Sequence, residues 1–149
     1  MRKQSLRIFL MIGLFAILAP LSVQAQSSSE QTASIPFSFN VGNKSFPAGE
    51  YRVTRINPAS DKTALVIRSA DGRMSKLVLT MNVQDSKTHE SAKLVFNRYG
   101  DQYYLAQVWT PADNTGLELP VSRSERTLAR NAGERAPEQT TVALNAGRR

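Results

Sequence analysis

The residues of this chain able to do acid, base or nucleophilic chemistry are scattered, and the sequence holds one histidine and no cysteine. His89 sits beside Glu90 in a polar stretch, whereas a zinc site needs three or four converging N, S or O ligands. No metal and no cofactor are therefore expected. The serines lack the partners that activate a nucleophile, and no G-x-S-x-G, S-x-x-K or H-E-x-x-H spacing occurs. Asp61, Asp71, Asp101 and Asp113 stand in turn contexts, where aspartate is favoured for hydrogen bonds to its own backbone. The expectation is a protein that is not an enzyme.

What remains is aromatic. Tyr99, Tyr103, Tyr104 and Trp109 crowd one stretch, and strand alternation sends Tyr103, Leu105 and Trp109 to one face and Tyr104, Ala106 and Val108 to the other. Rings beyond the needs of a core can stack on a sugar or an apolar ligand. Tyr51, Tyr103, Tyr104 and Trp109 are thus the candidate ligand-binding residues. A carrier would hold its ligand in a cavity lined by Phe37, Phe39, Tyr51, Phe96 and Tyr104.

The elements that position these rings read as strands. Phe37, Phe39 and Val41 alternate with Ser38 and Asn40 from Ile35 onward, the period of a half-buried strand. Turns follow at Gly42–Lys44 and Phe46–Tyr51, then a strand from Tyr51, closed by a turn at Asn57–Asp61. Thr63 to Ser69 and Leu77 to Met81 flank Asp71-Gly72, a hairpin signal, and Lys93 to Tyr99 pairs with Gln102 to Trp109 across Gly100-Asp101. Leu94 and Phe96 are expected opposite Tyr104, Ala106 and Val108, and Gln84 to Ser91 reads as a loop. Leu117 to Leu119 makes one more short strand. Ser122 stands three residues before Glu125, a capping box, so a helix is predicted over Arg123 to Asn131. The fold class is all-β: a small antiparallel meander of six to seven strands, curled into a barrel or sandwich, with one short C-terminal helix.

Domain limits follow from composition. Arg2, Lys3 and Arg7 precede a charge-free run from Ile8 to Leu21, and Val23-Gln24-Ala25 offers a cleavage site before Gln26. The run has 14 residues where a bilayer core takes about 20, so a cleaved signal peptide over 1–25 is expected, with no transmembrane segment in the mature form. Residues 26–34 read as a flexible linker, 35–131 as a single domain, and 132–149, poor in large apolar side chains, as a disordered tail. Loss of the signal lowers the formal charge of +7 by three. The remaining positive charge lies toward the C-terminus, interspersed with acids, so nucleic acid is not an expected partner.

Pro36-Phe37-x-Phe39-x-x-Gly42, Phe46-Pro47-Ala48-Gly49-Glu50-Tyr51 and Leu94-Val95-Phe96-Asn97-Arg98-Tyr99-Gly100-Asp101, with the stretch from Trp109 to Arg126, resemble a group of short uncharacterised exported bacterial proteins. That resemblance implies an extracytoplasmic location, periplasmic or secreted, and carries no activity with it. The expected function is an exported, non-enzymatic β-domain, a binding or cell-envelope-associated protein. The alternative is a periplasmic carrier of a small apolar or sugar ligand.

Overall fold

A computed structural model describes residues 30–56, 63–133 and 136–146. The expected signal peptide, the first residues of the linker and the Asn57–Asp61 turn lie outside the described residues. Among those described, the chain forms β1 (Gln31–Ile35), β2 (Phe39–Val41), β3 (Lys44–Phe46), β4 (Gly49–Ile56), β5 (Ala64–Ser69) and β6 (Ser75–Leu79). It continues with β7 (Met81–Gln84), β8 (Lys93–Tyr99), β9 (Gln102–Trp109) and β10 (Thr115–Glu118). The helix α1 (Arg123–Asn131), β11 (Glu138–Ala143) and β12 (Asn145–Ala146) complete it.

These strands make two sheets facing each other, an all-β sandwich. Sheet A has the order β12-β1-β4-β5-β6, and sheet B the order β11-β8-β9-β10-β7 with β2 and β3 attached through β9. The sandwich has more strands than the six to seven expected, and it is not a simple meander. The chain changes sheet between Ile35 and Phe39, between Phe46 and Gly49, at Thr80 and again at Leu144. The β2–β9 pairing is parallel, Phe39 opposite Tyr103. The changes after Ile35 and at Thr80 each split what alternation alone reads as one strand. Thr80 shows how it is done: its N–H and its hydroxyl both donate to Thr63 O, at 3.0 and 2.7 Å, so the corner keeps its backbone satisfied while buried.

The core lies between the sheets. Ile35, Phe39, Val41, Phe46, Tyr51, Val53, Leu65, Ile67, Leu94, Phe96 and Val108 are all 2 % exposed or less. Burying each such side chain contributes about 1.5–3 kcal/mol of driving force. The rings interlock edge to face: Phe39 meets Tyr51 at 5.0 Å and Phe96 at 5.5 Å between centroids, and Phe37 meets Phe96 at 5.2 Å.

Two expectations about the ends are corrected. Gln31–Ser34, placed in a linker, joins Ile35 in strand β1, paired with β4 along its whole length, with Ala33 and Ile35 in the core. Glu138–Ala143, placed in a disordered tail, is strand β11, paired with β8 from Glu138 opposite Arg98 to Ala143 opposite Lys93. Leu144 beyond it is buried in the core. A strand held mainly by its backbone ladder needs few large apolar side chains, and composition undercounts it. Among the described residues no helix is long and apolar enough to cross a membrane.

Candidate functional site

One extra residue in β9 decides where the aromatic candidates go. Phe96 is opposite Leu105 but Val95 is opposite Gln107, so Ala106 is a bulge. The bulge inverts the alternation beyond it. Tyr103, Leu105 and Val108 face the core, whereas Tyr104 and Trp109, with Val95, are buried outside it on the far face of sheet B. The expected faces are therefore corrected: Trp109 does not share a face with Tyr103, nor Tyr104 with Val108. Phe96 meets Leu105 and Leu94 meets Val108, while Tyr104 stands opposite Asn97.

The four candidate rings do not converge. Tyr51 is in the core, its hydroxyl donating to Pro47 O at 2.6 Å. Burial, aided by the charge of Asp71, raises its pKa above 10.0, because ionisation would charge a desolvated oxygen near a carboxylate. Tyr103 stacks on Phe37 at 4.0 Å, with the Arg98 guanidinium 5.6 Å from its ring centre. Tyr104 donates to Gln102 Oε1 at 3.2 Å, and Tyr99 stands edge-on to it. Trp109 Nε1 donates to Gln107 Oε1 at 3.1 Å, and the His89 ring lies 4.2 Å from the indole. His89 is thus tucked under the 85–92 loop rather than solvated, with Asp85 Oδ2 3.3 Å from its Nε2.

The carrier cavity fares the same way, since Phe37, Phe39, Tyr51 and Phe96 fill the space between the sheets with one another.

Helix α1 packs on the Asn97–Tyr99 end of the far face of sheet B, while His89 and Gly116 cover Trp109 at the other end. Ser122 Oγ accepts from the Glu125 N–H at 3.1 Å, half of the expected capping box. The Glu125 carboxylate does not turn back to the Ser122 N–H. It points into the sheet, accepting from Asn97 Nδ2 at 3.0 Å and the Tyr99 hydroxyl at 3.5 Å, and Glu125 is only 5 % exposed. Burial first, then the Glu125 charge, raises the Tyr99 pKa above 10.0. Beside the helix an open groove of about 610 Å³ runs past Gln102, Tyr104, Arg123 and Thr127.

Among the described residues, no element covers the outer face of sheet A. Arg52 and Arg68 are direct cross-strand neighbours there, with Glu30 3.7 Å from Arg52 Nε. The next rows are Thr54–Val66–Leu77 and Ile56–Ala64–Leu79. Ile56, Leu77 and Leu79 are 38, 54 and 64 % exposed, and Met81 beyond the corner is 58 % exposed. Sequence reading missed this surface. Its signal was present in Leu77 and Leu79, apolar at alternate positions on a strand whose inward positions, Lys76 and Val78, already include an apolar residue.

Inside the sandwich, at the end of β4, Arg55 Nε and one terminal guanidinium nitrogen are buried without a hydrogen-bond partner among the described residues. Burial lowers the Arg55 pKa and the charge of Asp113 opposes that shift.

No protein-family model, no curated protein sequence and no solved structure matches the chain.

Proposed function

We propose that the protein is an exported, non-enzymatic β-sandwich that acts by surface contact, as a binding or envelope-associated component. The observation that carries this reading is the outer face of sheet A, where Ile56, Leu77 and Leu79 lie exposed in adjoining rows. Exposed apolar side chains in contiguous rows mark contact surfaces more often than isolated ones do. The basic start, apolar run and Val23-Gln24-Ala25 support export. The test has two parts. Protein recovered from the envelope or medium should begin at Gln26, and an Ile56→Ser, Leu79→Ser variant should lose most of its co-sedimentation with isolated envelopes while keeping its fold. A chain beginning at Met1, undiminished binding by the variant, or turnover on a hydrolase panel would each refute it.

A second reading has one observation in its favour, the groove beside α1. Gln102, Arg123 and Thr127 offer hydrogen-bonding groups above the buried Tyr104, a combination suited to a sugar. Calorimetry with a panel of monosaccharides and disaccharides would support it if binding heat disappears in Tyr104→Ala.

A further inference from the structure

Strand β6 is the free margin of sheet A, with β5 on one side and no strand on the other among the described residues. Its ladder with β5 fixes which of its backbone groups face away. Ser69 N–H donates to Met74 O at 2.9 Å, and Thr80 N–H donates to Thr63 O at 3.0 Å. Antiparallel ladders alternate bonded and non-bonded pairs, so Met74, Lys76, Val78 and Thr80 are the residues that bond β5. The N–H and C=O groups of Ser75, Leu77 and Leu79 then point outward. The Lys44 ammonium meets Ser75 O there at 3.0 Å, and a carbonyl keeps a second lone pair for another donor.

Proteins usually blunt such a margin with outward charges, proline or a bulge. Here the residues with outward amides carry Leu77 and Leu79, both mainly exposed. We propose that β6 pairs with β6 of a second copy, antiparallel, about a two-fold axis at Leu77. The choice of a second copy follows from self-complementarity. The three outward-facing residues are spaced evenly about Leu77, so Leu77 bonds its twin and Ser75 bonds Leu79 of the other copy, twice over. Lys76, the one charged residue of β6, falls opposite Val78, so no like charges meet. The row Thr54–Val66–Leu77 continues through the twin leucines into its own mirror order. Pairing over five residues covers less than the ~800 Å² per partner of a standard interface, so the dimer forms in a concentration-dependent way. The pairing does not depend on what the outer face of sheet A binds.

Sedimentation velocity of the purified protein up to about 1 mM should show a monomer–dimer equilibrium. Leu77→Pro removes an N–H that points away from β5 and leaves that ladder intact. It should weaken association at least tenfold with an unchanged circular-dichroism spectrum. Should that variant fail to fold, Leu77→Lys sets two ammonium groups side by side at the axis and should have the same effect. The chain has no cysteine, so Leu77→Cys can cross-link only to itself. Paired Cα atoms about 5.5 Å apart lie within disulfide reach, and a covalent dimer should form, whereas Gln84→Cys on β7 should not give one. A monomer at every concentration, a monomer that binds vesicles through this face instead, a dimer that survives both Leu77 variants, or cross-linking at Gln84 alone would overturn the proposal.

Discussion

Gly116 lies flat against the Trp109 indole: a Cβ built on it would stand 2.7 Å from both Cδ2 and Cε3. Its backbone is not left-handed, so the demand is for space alone, and β10 can pass the indole only because position 116 has no side chain. Gly116→Ala should cost about 1–3 kcal/mol through overpacking. Urea unfolding measures this, and Trp109, the single tryptophan, reports local displacement through its fluorescence. The cost should shrink in a Trp109→Leu background, since the clash is with the indole.

Glu125 ties the helix to sheet B through Asn97 and Tyr99. Glu125→Ala leaves both donors without their acceptor and should destabilise by about 1–3 kcal/mol. Ser122→Ala should cost about 1 kcal/mol as a lost N-cap. Hydrogen exchange should rise in α1 in both variants. The double variant should cost less than the two singles combined, because freeing the first turn already loosens Glu125.

Tyr51 and Tyr99 both have folded pKa values raised above 10.0, by burial first and by nearby carboxylates second. The unfolded chain ionises these phenols at about pH 10, before the folded chain does. Their contribution is fully present below that pH and is lost as the pH climbs through the folded values. Urea midpoints should therefore fall steeply above about pH 10, and a Tyr51→Phe, Tyr99→Phe variant should show a shallower decline.

Leu144 is 6 % exposed and belongs to the core cluster. Leu144→Ala should cost about 2–5 kcal/mol, where the same change in a free tail would cost nothing measurable. Chemical denaturation distinguishes the two outcomes directly.

The middle of the fold was legible because its signals are local. Both β8 and β9 begin and end where alternation and Gly100-Asp101 place them, and α1 spans Arg123–Asn131 as its cap foretells. What escaped was set by distant contacts. The Ala106 bulge depends on how β8 and β9 fit together, so the faces of Tyr104 and Trp109 could not be read from spacing. Strands β1 and β11 are held by partners far along the chain. Their sequences, QTASI and EQTTVA, carry only β-branched threonine, valine and isoleucine as a hint. Of the four candidate rings, each was found in a packed setting. The exposed leucines of β6 went unnoticed because an apolar run reads as core until the neighbouring sheet is known to face the other way.

Strand β1 is bracketed by β4 and by β12, with Gln31 opposite Ala146. The first strand and the last thus close on each other, and β8 likewise waits for β11 to take its outer side. Neither sheet can be finished while the chain is still being delivered from its N-terminus, however slowly that delivery proceeds. An early segment emerging alone presents unpaired margins on β1 and β8 until residues beyond 136 arrive. The first and the last described strands meet at one margin of sheet A, so the described chain enters and leaves the domain side by side.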